Sequence, residues 1–134
     1  MVNITNQKGV KPDAGRDTRT TAFRNRLYTF TLRLIDVIDK LPNDVVARRM
    51  GDQLLRSGTS VMANYVEAKA AASRRDYINF FTIALKSANE SILWISLLRD
   101  SRRLKQEDSE WIKAEMEEIA NILAASIITL KSKK

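Results

Sequence analysis

The chain has 134 residues, 44% hydrophobic and 29% charged, a composition that suits one folded domain with one core and is too apolar for a disordered segment. Lysine and arginine total 23 against 16 acids, a net charge of +7, and neither histidine nor cysteine occurs. Disulfides, thiolate nucleophiles, zinc–thiolate centres, histidine triads and Glu-x-x-His di-metal sites are thereby excluded.

Residues 1 to 19 carry two of the four glycines and one of the two prolines with little apolar periodicity, and they read as a mobile tail before a domain over residues 20–134. The start is polar and lacks the apolar core of a signal peptide, which makes a cytoplasmic location the expectation. The longest apolar stretch, Ile119 to Leu130, is broken by Asn121, Ser126 and Thr129, so no membrane span is expected.

From Thr20 onward apolar side chains recur every three or four residues: Phe23, Leu27, Phe30, Leu34, Val37, Leu41. That spacing predicts a first helix, stopped by Pro42. Asn43 is a candidate cap for a second helix carrying Val46, Met50, Leu54, Val61, Tyr65 and Ala68 and running to about Ala71. Ser73 with Asp76 resembles a capping box opening a third helix, whose ladder is Tyr77, Phe81, Ala84, Ala88, Ser91, Ile95 and Leu98. A basic break, Arg99 to Lys105, precedes a fourth helix that starts at Asp108 or Ser109 and aligns Ile112, Met116, Ile119, Leu123, Ile127 and Leu130. Short connections between long helices force antiparallel neighbours. The expected fold is all-α, an up-down-up-down antiparallel four-helix bundle.

The third helix is apolar on more than one side. Phe80, Ile83, Trp94 and Leu97 lie off its main stripe, and a second apolar side is most simply covered by another subunit. Gly51 and Gly58, seven apart among small residues on the second helix, suggest close helix approach, because glycine inside a helix costs roughly 1 kcal/mol relative to alanine. If the hairpin turns near Ala72 and Ser73, Arg56 falls opposite Asn89 and Glu90, and Ser87 lies near Gly58. A buried Arg56–Glu90 pair is then expected, with Asn64 and Glu67 pointing toward the same interface. Glu67 and Glu90 could in principle be metal ligands or an acid and base, but no histidine or third inward carboxylate completes a site. The five residues are therefore read as a structural polar network that sets helix register, with no metal, cofactor or catalytic residue expected.

In order and spacing, Arg56, Ser57, Gly58, Asn64 and Glu67, followed by Tyr77, Phe81, Ser87 and Glu90, resemble the four-helix bundle family named after a protein encoded in intervening sequences of bacterial 23S ribosomal RNA genes. The likeness covers roughly residues 22 to 130, with Tyr65 in place of a smaller aliphatic residue and Ala68 where glycine is common. It implies a cyclic homo-oligomer, a pentamer. It also implies kinship with an accessory protein of diversity-generating retroelements that binds nucleic acid and partners a reverse transcriptase.

Bundle topology places the tail, the turn between the second and third helices, and the C-terminus at one end. That end collects twelve cations against four carboxylates: Lys8, Lys11, Arg16, Arg19, Arg24, Arg26, Lys69, Arg74, Arg75, Lys131, Lys133 and Lys134 against Asp13, Asp17, Glu67 and Asp76. The other end is nearly balanced. A basic pole suits phosphate backbones, with Arg24, Arg26, Lys69, Arg74, Arg75 and Lys131 as candidate nucleic-acid contacts. Because most aromatic residues sit on apolar helix faces, no stacking platform is expected, and binding should be salt-sensitive and poorly selective. The leading reading is a non-enzymatic, oligomeric RNA- or DNA-binding accessory protein. The alternative is a homo-oligomeric scaffold whose basic pole docks an acidic protein. An enzyme ranks third, since no phosphate loop appears.

Overall fold

The computed structural model describes residues 16–133, with side chains from residue 18 onward; of the expected tail over residues 1–19, residues 1–15 lie outside the described residues and residues 16–19 belong to the first helix. Four helices follow in order: α1 (Arg16–Asp39), α2 (Val45–Lys69), α3 (Arg74–Asp100) and α4 (Gln106–Ser132). Each packs on its two neighbours around an up-down-up-down ring, most extensively α2 on α3 and α3 on α4, and least closely α1 on α4.

Helix ends follow from local chemistry, with four shifts from the sequence expectations. α1 begins at Arg16, four residues before Thr20, and closes ahead of Pro42 through Lys40 N–H to Val37 O and Leu41 N–H to Ile38 O. The cap of α2 is Asp44, not Asn43: its carboxylate accepts from Ala47 N–H at 2.8 Å and also from Arg103 Nε at 3.0 Å. One carboxylate thus caps a helix and ties the α1–α2 loop to the α3–α4 loop, and the hydrogen bond from Ala47 N–H is the chief reason its pKa is lowered. Ser73 caps α3 as expected, accepting from Asp76 N–H.

α3 continues to Asp100 and α4 starts at Gln106, which shortens the predicted polar break on both sides. The end of α3 is a Schellman turn, with Arg103 N–H reaching Leu98 O and Arg102 N–H reaching Arg99 O. Arg102 takes the left-handed position at φ 63°, where glycine is the usual residue, so this turn gave no glycine signal in the sequence.

The core is built from the expected ladders. Leu27, Leu34, Leu54, Ile95, Ile112, Met116 and Leu123 are essentially inaccessible. At the start of α2 the stripe is displaced by one residue, so that Ala47 and Gly51 are buried while Val46 and Met50 are only half-buried. Gly58 explains the α1–α2 approach: a Cβ there would sit 2.2 Å from Leu34 Cδ2. Gly51 is less tight, with a Cβ 3.1 Å from Leu41 Cδ1.

Candidate nucleic-acid interface

The antiparallel packing brings the start of α1, the α2–α3 turn and the end of α4 to one end of the bundle. Arg74 Nη1 donates to the main-chain carbonyl of Lys133, fixing the α2–α3 turn against the C-terminal turn. Arg75 and Lys131 border one shallow depression, Arg24 and Lys69 another, and Arg19, Lys69 and Lys133 a third. Among the described residues seven cations, Arg19, Arg24, Lys69, Arg74, Arg75, Lys131 and Lys133, therefore gather at this end with Glu67 and Asp76 as the acids among them. Lys8, Lys11, Asp13 and the side chains of Arg16, Asp17 and Lys134 lie outside the described residues. Such an excess of one sign over a small surface attracts polyanions and concentrates them there.

Arg26 does not join this group. It lies further along α1 and makes a bidentate pair with Glu115 of α4, at 2.7 and 2.9 Å. The sequence places Arg26 near the tip but cannot show which acid of α4 it faces. The guanidinium donating to Glu115 holds that carboxyl below its ordinary range, burial opposing only in part. A depressed folded-state pKa means that the pair's stabilisation is complete above the ordinary value of 4.5 and is lost as pH falls through the folded value. Discounted for the exposure of Arg26, it is worth about 1 kcal/mol. Urea titrations of the parent and Glu115→Gln should differ by about that amount at neutral pH and converge toward acid. A gap independent of pH would contradict this assignment.

The expected polar network forms in part and is not buried. Arg56 reaches Glu90, as the hairpin register requires, but the two side chains are 60% and 33% exposed, and Gln53 and Trp94 Nε1 share the pair. The buried link is made instead by serines. Ser57 and Ser91, both fully buried, lie 2.8 Å apart through their hydroxyls. Ser60 and Ser87 repeat the contact at 2.8 Å, and Asn64 Nδ2 donates to Ser60. Ser87 therefore meets Ser60, whereas Gly58 faces Leu34, with Ser91 Oγ 4.0 Å from the position of a Cβ. Glu67 is exposed and stands apart from the ladder. Among the described residues no three potential metal-ligating side chains gather closely enough to hold an ion.

The four residues proposed for subunit contact divide into two pairs. Phe80 and Trp94 are half-buried against their own core, and Trp94 is further held by its hydrogen bond to Glu90 at 3.0 Å. Ile83 and Leu97 are each 38% exposed, and Leu93, one turn from Leu97, is 52% exposed. The hairpin seam and the outer apolar edge thus share α3 without sharing side chains.

The basic end also holds an aromatic cluster that no single helical period in the sequence reveals. Phe23 of α1 meets Tyr65 of α2 edge-on at 5.2 Å, Tyr65 lies 5.8 Å from Phe81 of α3, and Phe81 lies 4.8 Å from Tyr77. Burial pushes the Tyr65 hydroxyl up to about 12, and that hydroxyl donates to Thr20 O. Lys69 Nζ donates to Tyr77 Oη and stands 5.0 Å from that ring's centre and 5.2 Å from that of Tyr65. In the sequence these rings belong to three separate ladders, and only three-dimensional packing shows that their ladders converge at the same end.

Comparison with known proteins agrees with this architecture. A family model described as 23S rRNA-intervening sequence protein matches residues 20–125. A crystal structure of a protein of unknown function from the S23 ribosomal protein family of Bacteroides thetaiotaomicron is 38% identical. The match covers 78% of this chain and 96% of that one, with a TM-score of 0.73. No curated protein matches the chain. Among the described residues no helix is long and apolar enough to cross a membrane.

Proposed function

The chain belongs to the 23S rRNA-intervening sequence protein family, and from that premise we propose that it is a non-enzymatic accessory protein that binds RNA or DNA through phosphate contacts at its cationic end. The observation that carries this reading is the gathering of Arg19, Arg24, Lys69, Arg75, Lys131 and Lys133 on adjoining depressions of one end with few acids among them. Such a surface gains affinity from counterion release and reads charge spacing, not base sequence. Arg74 contributes field to the same end while its guanidinium is engaged with the C-terminal turn.

Assembly belongs to the same proposal. The outer edge of α3, with Ile83, Leu93 and Leu97 exposed, is a surface that a second copy would cover, and a ring, pentameric as the family resemblance implies, would repeat the cationic end around its axis. Repetition raises affinity for a long polyanion without any new contact. Light scattering at micromolar concentration should show an oligomer that Leu93→Lys with Leu97→Lys disperses. A wild-type monomer would contradict the assembly.

A scaffold docking an acidic protein draws on the same charge, and a reverse transcriptase is the further partner that the family resemblance implies. Titration with a structured RNA and separately with polyglutamate distinguishes the two classes of ligand. RNA should bind with a Kd of about 10⁻⁴ to 10⁻⁶ M per protomer at physiological salt. Binding of polyglutamate with none of RNA would favour the scaffold.

A further inference from the structure

We infer that the cleft between α1 and α4 at the cationic end receives one unpaired base of a single-stranded nucleic acid, its adjoining phosphates resting on Arg19, Lys69 and Lys133. This inference rests on the phosphate-binding reading above and adds a place for the base.

The cleft measures about 600 Å³ and lies at the cationic end, bordered by the start of α1 and the end of α4, the neighbouring helices that pack least closely. That volume lies within the range of small-ligand sites. Its floor is aromatic and apolar, with Phe23 and Tyr77 half-buried so that part of each ring meets the opening. Among the described residues the charged side chains that line it are Arg19, Lys69 and Lys133, with no carboxylate between them. Thr20, Ser126 and Thr129 place hydroxyl oxygens on its walls, that of Ser126 donating to Ile122 O and so offering a base edge its acceptor side.

The arrangement selects an aromatic anion over other occupants. A flat ring stacks on aromatic faces, the cations stand at the mouth where a sugar-phosphate chain would pass, and Lys69 is held among the rings by Tyr77 Oη. A purely aliphatic guest would gain neither the ring stacking nor the attraction of the cations at the mouth. A base inside a duplex cannot enter, so the site favours single strands, loops and ends.

The test compares two oligomers of equal length and charge, oligothymidylate and its abasic deoxyribose-phosphate counterpart, against the full-length protein. The wild type should prefer the base-bearing strand by about tenfold. Ala125 is exposed on the cleft wall, so Ala125→Trp fills the opening without withdrawing a core side chain. That variant should bind both strands equally, with the salt dependence of the wild type. Phe23→Leu, which keeps an apolar floor but removes a ring, should reduce the preference as well, guarding against misfolding of the first variant. Equal affinity of the wild type for both strands would overturn this inference and leave phosphate binding standing. Failure to bind either strand would overturn both. A preference that persists in both variants would also overturn the inference, because the base would then be held elsewhere.

Discussion

Replacing Arg24, Arg75 and Lys131 together with glutamine is expected to weaken binding of a structured RNA by about 100-fold, at about 1 kcal/mol for each exposed phosphate contact. The slope of log affinity against log salt should become shallower by about three. All three side chains are exposed at the cationic end, so thermal stability should change by no more than about 0.5 kcal/mol. Arg49, Arg102 and Lys105 are the matched control. They lie at the opposite end of the bundle, and their replacement by glutamine removes the same net charge. If position governs binding, the control keeps most of its affinity. Equal losses in the two variants would show that only total charge matters.

Gly58→Ala should destabilise the fold by about 1 kcal/mol, although the same change usually stabilises a helix by about that amount. The added methyl would collide with Leu34 Cδ2, 2.2 Å away, and Leu34 is fully buried with little room to turn. Leu34→Ala alone should cost about 3 kcal/mol, by lost transfer free energy and the cavity left between α1 and α2. In that background the alanine methyl at position 58 finds space. The double variant should therefore be more stable than the sum of the single changes by about 1 to 2 kcal/mol. Gly51→Ala provides the contrast, since its neighbour Leu41 is half-buried and has only a few tenths of an ångström to yield. Urea denaturation of the four proteins in the cycle measures the coupling, and simple additivity would contradict the proposed contact.

The four helices were legible because their apolar residues keep a helical period and their connections are short. The ladder of α3 from Phe81 to Leu98 and that of α4 from Ile112 to Ile127 are buried as spaced. Helix ends were less legible where two residues competed for one role. Asn43 and Asp44 are both good caps, and Asp44 takes the position because its carboxylate also accepts from Arg103, a partner 59 residues away. The register of α2 on α3 was readable from the hairpin, which is why Arg56 meets Glu90.

Burial is less legible, because periodicity puts adjacent small and charged residues on one seam and only side-chain size decides which of them enter it. Ser57 and Ser91 are slight enough to meet in the interior, leaving the longer Arg56 and Glu90 at its edge. Arg26 shows the same limit: its height along α1 can be counted, but its pairing with Glu115 depends on how α1 leans on α4. The aromatic cluster needed contacts among three helices, which no single periodicity contains.

Titration of the wild-type protein with a structured RNA across a range of salt tests most directly whether the gathered cations hold phosphates. Between about 50 and 200 mM salt the affinity should fall at least about 100-fold, with a linear dependence of log affinity on log salt. An affinity that stays constant across that range would contradict a phosphate-binding pole.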